Sequence, residues 1–182
     1  MAGCDMGQTD EVHVRPATDS DLPAVGRVHA LARARAYVDL VPAEALARVT
    51  PERQERVWRE RVAATRARSA MLVAERNDEV VGFTFGVDAD VDADDGDEVP
   101  QLNALHVLPA HHGTGIGHAL HEALLAEIHG WGHDEVQLWV LRGNEPAQAF
   151  YRRHGWTHDG TTGEHEVGGI VVPILRYRRS LP

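Results

Sequence analysis

The stretch LHVLPAHHGTGIGHAL, residues 105–120, runs from an apolar segment through a proline and two histidines into three alternating glycines, Gly113, Gly115 and Gly117. A pattern typical of a helix follows at once. Backbone amides without side-chain bulk at the start of a helix bind phosphate or pyrophosphate, because the helix dipole is positive there. A plain tight turn would use the same glycines, so this stretch alone leaves both interpretations open.

Two common nucleotide-binding loops do not fit these glycines. A dinucleotide-binding loop requires G-x-G-x-x-G, whereas His118 stands here at the sixth place and several predicted elements come before the loop. A Walker loop requires a lysine, and the chain contains none, since all 18 of its basic residues are arginines. The absence of lysine also excludes Schiff-base and pyridoxal chemistry.

Composition limits the class of protein. The chain has 182 residues, 43% of them hydrophobic, which is enough for one domain, expected at 11–182 behind a flexible leader at 1–10 that holds the single cysteine, Cys4. The net charge of −10 argues against a nucleic-acid-binding protein, which needs a basic surface. Neither a signal peptide nor an apolar run of membrane-spanning length is recognisable, so a cytoplasmic protein without membrane contact is expected.

Hydrophobic periodicity predicts an alternation of strands and helices. The first half reads as a strand at 12–18, a helix after Thr18, a helix from Thr50 to about Ser69 with Val57, Trp58 and Val62 on its apolar face, and two strands joined at Asn77-Asp78. The second half reads as a strand at 99–107, a helix at 116–130, a strand at 135–141, a short helix at 144–154, a glycine-rich loop at 159–169 and a last strand. This order predicts an α/β fold with an antiparallel first half and a βαβ crossover.

Two motifs resemble those of the GNAT superfamily of N-acetyltransferases. Leu105-His106-Val107, Pro109 and the glycine loop resemble motif A, and LWVLRGNEPAQAFYRRHGWT, residues 138–157, resembles motif B. The resemblance covers residues 12–179. It implies the GNAT fold, an α/β (α+β) architecture with a mixed, mostly antiparallel sheet of about six to seven strands flanked by about four helices.

The resemblance implies acetyl-CoA as cofactor, with its pyrophosphate on the loop amides and its pantetheine arm along the strand before them. The cofactor-binding residues implied in this way are Leu105, His106, Val107, His112, Gly113, Thr114, Gly115, Ile116, Gly117, His118, Asn144, Ala147 and Tyr151. His112 departs from the family, which has Arg or Gln at this place. Because imidazoles titrate near neutral pH, affinity for CoA is expected to fall between pH of about 6 and 8.

The resemblance also implies catalytic roles. Tyr151 matches the family's general acid, which protonates the departing thiolate, and Asn144 would contact the pantetheine arm as well as cap its helix. A backbone N–H near Val107 would polarise the thioester carbonyl. A bulge in the 99–107 strand would separate it from the 135–141 strand and open the groove for the cofactor.

The general base is open. Some family members carry Glu or His on the strand before motif A, where this chain has Gln101 and Asn103, whose amides accept no proton at neutral pH. Glu98 is the nearest carboxylate in sequence and is a candidate base, although a solvated loop acid would look the same. Deprotonation through water held by Gln101 and Asn103 is an equal alternative.

The acceptor pocket implied by the resemblance comprises Tyr37, Trp58 and residues 158–169, together with Gln101 and Asn103, and it does not reveal the amine. The loop 88–98 holds seven carboxylates, fails the spacing of a calcium loop and is expected to be a solvated hairpin loop, with attraction of a polycationic acceptor as the alternative. No metal site is expected, because the twelve histidines, His118 and His121 included, lack a ligand motif and are expected to be scattered and solvated.

These observations predict an N-acetyltransferase that moves the acetyl group of acetyl-CoA directly to a primary amine of a small molecule or peptide. No acyl-enzyme is expected, since Cys4 lies outside the motifs. The alternative is a catalytically silent acyl-CoA-binding module, a sensor or interaction domain, and a weaker one is a nicotinamide oxidoreductase. Dimers are common in the family, so a homodimer is compatible with the sequence, although no feature of it requires one.

Overall fold

The structure, a computed structural model, describes residues 11–65, 67–89 and 99–182. The predicted flexible leader at 1–10, the candidate base Glu98 and most of the acidic loop lie outside the described residues. None of the described helices is long and apolar enough to cross a membrane.

In the described part of the chain, seven strands form one sheet in the order β1-β2-β3-β4-β5-β7-β6, flanked by five helices. The strands are β1 (His13–Pro16), β2 (Ser69–Arg76), β3 (Glu79–Val87), β4 (Gln101–Val107), β5 (Glu135–Leu141), β6 (Thr157–Val167) and β7 (Ile170–Ser180). The helices are α1 (Leu22–Ala36), α2 (Ala43–Leu46), α3 (Pro51–Ala64), α4 (Ile116–Gly130) and α5 (Glu145–Arg153). Every described strand pair is antiparallel except β4 with β5, which confirms the predicted mixed, mostly antiparallel sheet.

Strand β3 shows how helices cover both faces of the sheet. Side chains alternate between the two faces of a strand. Phe83 and Phe85 are buried and contact the Trp58 ring of α3 edge-on. On the other face, a Cβ added at Gly82 or Gly86 would lie 2.9 or 2.8 Å from a leucine of α4, so the glycines let α4 approach the sheet closely. The core therefore has two layers, with α1 and α3 on one face and α4 on the other.

Several elements begin where local chemistry predicts. The Thr50 side chain accepts a hydrogen bond from the Arg53 amide at 3.3 Å, and Pro51 occupies the first turn of α3. Asn77 and Asp78 have φ values of 53° and 61°, the left-handed conformation that a two-residue hairpin turn requires. These positions confirm the predicted helix start and hairpin.

Other predictions were wrong in extent or kind. Helix α3 ends at Ala64 rather than near Ser69, because Ser69 begins the strand that pairs with β3. Val57 and Val62 of α3 are exposed, and only Gln54 and Trp58 are buried on this helix. The expected loop at 159–169 is largely strand β6, whose mostly polar and glycine residues suit an exposed strand at the edge of the sheet.

The sheet opens between β4 and β5. Phe85 pairs with Ala104 but Gly86 pairs with Leu102, so Asn103 is an extra residue that forms a bulge in β4. The parallel pairing of β4 with β5 is confined to Gln101 with Gln137 and Leu102 with Leu138. Beyond these pairs the two strands diverge, as predicted from the family's bulge, and the resulting cleft positions the candidate site.

Candidate active site

The glycine loop holds a row of free amides at the mouth of the cleft. Gly113 and Gly115 have φ values of 77° and 86°, a left-handed conformation that glycine adopts without steric penalty. No amide of residues 113–118 donates to an acceptor in the described part of the chain, and Ala119 is the first amide to bond back, to the Gly115 carbonyl at 3.0 Å. The loop can therefore bind the oxygens of a phosphate or pyrophosphate.

Side chains of the loop anchor it to the end of β4. The Nε2 atom of His112 lies 3.0 Å from the Val107 carbonyl, which can only accept, so Nε2 carries a proton in this contact. The Thr114 hydroxyl donates to the His111 carbonyl at 2.8 Å. His112 thus has a structural bond in addition to the cofactor contact predicted from the sequence.

A cavity of about 900 Å³ extends from this loop through the cleft to α1 and α3. All but two of the predicted cofactor-binding residues line it, and so do the predicted pocket residues Tyr37, Gln101 and Asn103. The exceptions are Thr114, whose hydroxyl bonds within the loop, and Ile116, which is buried in the core. We call the part near the loop and α5 the cofactor arm, and the part between α1, α3 and β6 the acceptor arm.

Tyr151 lies in the wall of the cavity on α5. Its ring is buried against Phe150 and Trp156, yet its hydroxyl has no hydrogen-bond partner among the described residues. Burial and the nearby Tyr37 raise the pKa of this phenol above its ordinary value. Tyr151 therefore keeps its proton at neutral pH, as a general acid must before it acts.

Helix α5 is fixed at its start by two amide side chains. The Asn144 Oδ1 atom accepts from the Ala147 amide at 3.3 Å, which confirms its predicted capping role. The Gln148 Nε2 atom donates to the Arg142 carbonyl at 2.6 Å, and its Oε1 atom accepts from the Tyr177 hydroxyl at 3.2 Å. Nothing in the sequence marks Gln148 as part of the site, because a glutamine inside a helix gives no sign of a buried partner.

Two histidines form the floor of the acceptor arm. The rings of His29, from α1, and His106, from β4, stack with their centroids 4.6 Å apart, and the Trp58 Nε1 atom donates to His29 Nδ1 at 2.8 Å. Burial together with the Arg33 charge lowers the pKa of His106 to about 3, and burial lowers that of His29 further. Both rings are therefore neutral at pH 7.

The prediction that the histidines are scattered and solvated was wrong for the buried ones. His121 is fully buried, its Nε2 atom accepts from Trp156 Nε1 at 2.9 Å, and its Nδ1 atom lies 2.8 Å from a Glu122 oxygen. The apolar positions Val25, Val28 and Ala32 surround His29 in the sequence and could have indicated its burial on α1. Within the described ranges, no group of three or more His, Cys, Asp or Glu side chains is arranged to hold a metal ion.

Of the three residues considered for deprotonation of the amine, the structure describes Gln101 and Asn103. The Asn103 Oδ1 atom accepts from the Arg61 guanidinium, so this amide is already engaged on the side of the acceptor arm. Gln101 lines the cavity, and Glu98 lies outside the described residues. Glu166 is the single carboxylate among the described lining residues, and it belongs to the 158–169 segment that was predicted to border the acceptor.

Comparisons with known proteins agree with this geometry. The model of the acetyltransferase (GNAT) family matches residues 35–156. An uncharacterised N-acetyltransferase of Mycobacterium tuberculosis is 35% identical over 112 residues, which are 59% of this chain and 68% of that protein. A mycothiol acetyltransferase of a Nocardioides species is 36% identical over 89 residues, which are 47% of this chain and 30% of that protein.

Solved structures share the fold at low identity. The PaiA N-acetyltransferase of Thermoplasma acidophilum, in complex with coenzyme A, superposes with a TM-score of 0.70 at 16% identity and covers 94% of this chain and 99% of its own. A GCN5-related N-acetyltransferase of Rhodopseudomonas palustris gives a TM-score of 0.72 at 17% identity and covers 93% and 95%. The fold, both motifs and the family model agree, and the chain belongs to the acetyltransferase (GNAT) family.

Proposed function

We propose that the protein transfers the acetyl group of acetyl-CoA directly to a primary amine of a small molecule or peptide. The observation that carries the proposal is one continuous cavity, which joins the amides of the glycine loop to the Tyr151 hydroxyl and to a separate acceptor arm; neither the amides nor the hydroxyl has a partner among the described residues. The structural neighbour in complex with coenzyme A supports the choice of cofactor.

Each group of the site has its own role in the proposed acetyl transfer. Acetyl-CoA supplies a thioester carbonyl and a thiolate leaving group. The amides of residues 113–118 bind the pyrophosphate, and a backbone N–H of β4 near Val107 hydrogen-bonds the carbonyl oxygen. The amine nitrogen forms a bond to the carbonyl carbon as the carbon–sulfur bond breaks. The Tyr151 hydroxyl gives its proton to the sulfur and regains one from solvent, while the proton lost by the amine leaves through water or a carboxylate.

The Tyr151→Phe variant tests this proposal against the alternative of a silent acyl-CoA-binding module. Since general acid catalysis contributes about 10²- to 10⁴-fold, we expect kcat to fall by that factor while the Kd for CoA changes less than about threefold. Release of free thiol across a panel of amines measures the turnover, and calorimetry measures the binding of CoA.

The matched control is Tyr177→Phe, which removes a buried hydroxyl that bonds to Gln148 and does not line the cavity. We expect this variant to lose about 1 kcal/mol of stability and to keep its kcat. If the wild type and Tyr151→Phe both bound CoA tightly but acetylated no amine, acetyl transfer would be refuted in favour of the silent acyl-CoA-binding module.

A further inference from the structure

The acceptor arm carries a strong positive charge. Four arginines line it, whereas Glu166 is its single described carboxylate; the arginines are Arg33, Arg48, Arg53 and Arg61. Within the described ranges, none of the four forms an ion pair, in contrast to arginines elsewhere such as Arg15 and Arg178. Uncompensated cations around one cavity favour a ligand that brings a negative charge.

Two donors on α1 lack a partner in the wall of this arm. His29 Nδ1 accepts from Trp58, so the neutral ring carries its hydrogen on Nε2, and this buried Nε2–H has no acceptor among the described residues. The buried Nε–H of Arg33 has none either. His29 and Arg33 are four residues apart on one helix, so their side chains lie next to each other on the same face. A buried donor without an acceptor is unfavourable, and two such neighbours indicate a site for an acceptor group from outside the chain.

The surroundings of Arg33 hold its guanidinium in place. Its Nη2 atom lies 3.3 Å from His165 Nε2, and its Cζ atom lies over the Tyr37 ring, 5.5 Å from the ring centroid. Arg61 is fixed in the same way, by Asn103 Oδ1 and by the Trp58 ring at 5.3 Å. Burial lowers the pKa of Arg61, and the positive charge of Arg33 lowers it further. A negative group between them would relieve this repulsion.

From these contacts we propose that the acceptor is an amine that also carries a carboxylate, and that the carboxylate binds the His29 Nε2–H and the Arg33 Nε–H. The substrate class is an amino acid or a compound with an amino-acid-like carboxylate. A guanidinium edge matches the two oxygens of a carboxylate, and a charge-assisted pair of this kind is stronger than a neutral hydrogen bond. The inference rests on the proposed acetyl transfer, and it opposes the alternative of a polycationic acceptor, which would add positive charge to this arm.

The experiment compares matched acceptors in acetyl transfer. Each amino acid is assayed beside its carboxamide and its decarboxylated amine, with the wild type, Arg33→Gln, Arg33→Lys and Arg35→Gln. Arg35 lies on the exposed side of α1 and does not line the cavity, so it is the matched control. We expect kcat/KM to favour the carboxylate by about 10- to 100-fold, which is the range for a hydrogen-bonded charge.

In Arg33→Gln this preference should shrink about 5- to 10-fold, because the carboxylate loses a charge-assisted hydrogen bond whereas the carboxamide loses a weaker neutral one, and Arg33→Lys should restore part of the preference. Arg35→Gln should behave like the wild type. Equal kcat/KM for carboxylate and carboxamide, or an equal loss on both in Arg33→Gln, would overturn the inference. An aminophosphonate preferred over the carboxylate would overturn it as well.

A binding measurement separates this inference from the proposed function. N-acetylated amino acids are added to the protein with CoA, and the shift in Tm is compared with that from N-acetylated carboxamides. A shift that requires the carboxylate and disappears in Arg33→Gln supports the site even if no acceptor is turned over, in which case acetyl transfer alone fails. No shift and no carboxylate preference would refute the inference whether or not other amines are acetylated.

Discussion

Asn144 shows how one side chain can serve both the fold and the site. Its Oδ1 atom caps α5, the helix that carries Tyr151, and the residue also lines the cofactor arm. The cap uses only the oxygen of the amide. The Nδ2 donor remains for a ligand, and the family resemblance assigns it to the pantetheine arm.

The Asn144→Asp variant separates these two roles. Aspartate caps a helix as well as asparagine, so the free energy of unfolding should change by less than about 0.5 kcal/mol. The amide donor is lost, so the Kd for CoA should rise about 2- to 10-fold. Denaturant unfolding and calorimetry provide the two measurements. Asn144→Ala, which removes both functions, should also lose about 1 kcal/mol of stability. An unchanged Kd in both variants would leave Asn144 with the cap alone.

At the scale of elements, the contact of α1 with α3 shapes the acceptor arm. The two helices meet at Gly26, where an added Cβ would lie 2.5 Å from the Pro51 carbonyl oxygen and 2.6 Å from the Glu55 amide nitrogen. Both neighbours are backbone, so they cannot rotate away. The absence of a side chain at Gly26 therefore sets the distance between the helix that carries His29 and Arg33 and the helix that carries Trp58 and Arg61.

The Gly26→Ala variant should force these helices apart. We expect a loss of about 1–3 kcal/mol in the free energy of unfolding, as for other overpacked sites. The KM for the acceptor should rise while the Kd for CoA, on the far side of the cavity, stays constant. Gly130→Ala is the control, because nothing lies within 4 Å of its added Cβ, and it should be neutral or slightly stabilising. Equal stability of both variants would contradict this account.

At the scale of the whole molecule, buried imidazoles link folding to pH. Burial lowers the pKa of His29, His106 and His121 in the folded protein, whereas unfolded histidines titrate near 6.5. Between that value and the lower folded pKa values, the unfolded chain binds more protons than the native one. Stability is therefore complete above a pH of about 6.5 and falls as the pH decreases through this window.

We expect the free energy of unfolding to depend steeply on pH in the acid range. Each of the three groups contributes up to about 1.4 kcal/mol per pH unit, so the free energy of unfolding should fall by up to about 4 kcal/mol per unit between pH of about 6 and 4.5. Urea titrations at a series of pH values measure this slope. His106→Asn should reduce it by about one proton, and the exposed His129→Asn should not change it. A wild-type slope that corresponds to the uptake of less than one proton on unfolding would refute the lowered pKa values of these histidines.

How much the sequence could reveal depended on the range of the interactions. Asn144, Thr50 and Asn77-Asp78 were predictable, because a cap or a tight turn is decided by residues next to each other. The bulge and the divergence of β4 from β5 were available only through the resemblance, since they depend on pairing with distant strands. Strand β6 was missed because its polar and glycine residues have weak strand propensity and are ordered by pairing with β7.

The acceptor arm was the least predictable part of the site. Tyr37 and Trp58 followed from the family, but the contact of His29 with Trp58 and His106 joins three elements far apart in sequence. The sequence shows the positive charges of Arg33 and Arg61. Only the fold shows that both arginines line one cavity. The described charge around this cavity is positive, whereas the net charge of the chain is negative.

The divergence of β4 from β5 also divides the sheet into two leaves. Within the described residues, β4 of the β1–β4 leaf and β5 of the β5–β7 leaf pair at two positions near the start of β4, so the amides of residues 103–107 and 139–141 that face the cleft have no described partner strand there. In the free protein we expect these amides to exchange quickly with deuterium and the leaves to open as separate units. CoA, lying along β4, should slow exchange on both sides of the cleft and leave the β2–β3 amides unchanged. CoA would then replace the missing pairing between β4 and β5, and the two leaves would unfold as a single unit.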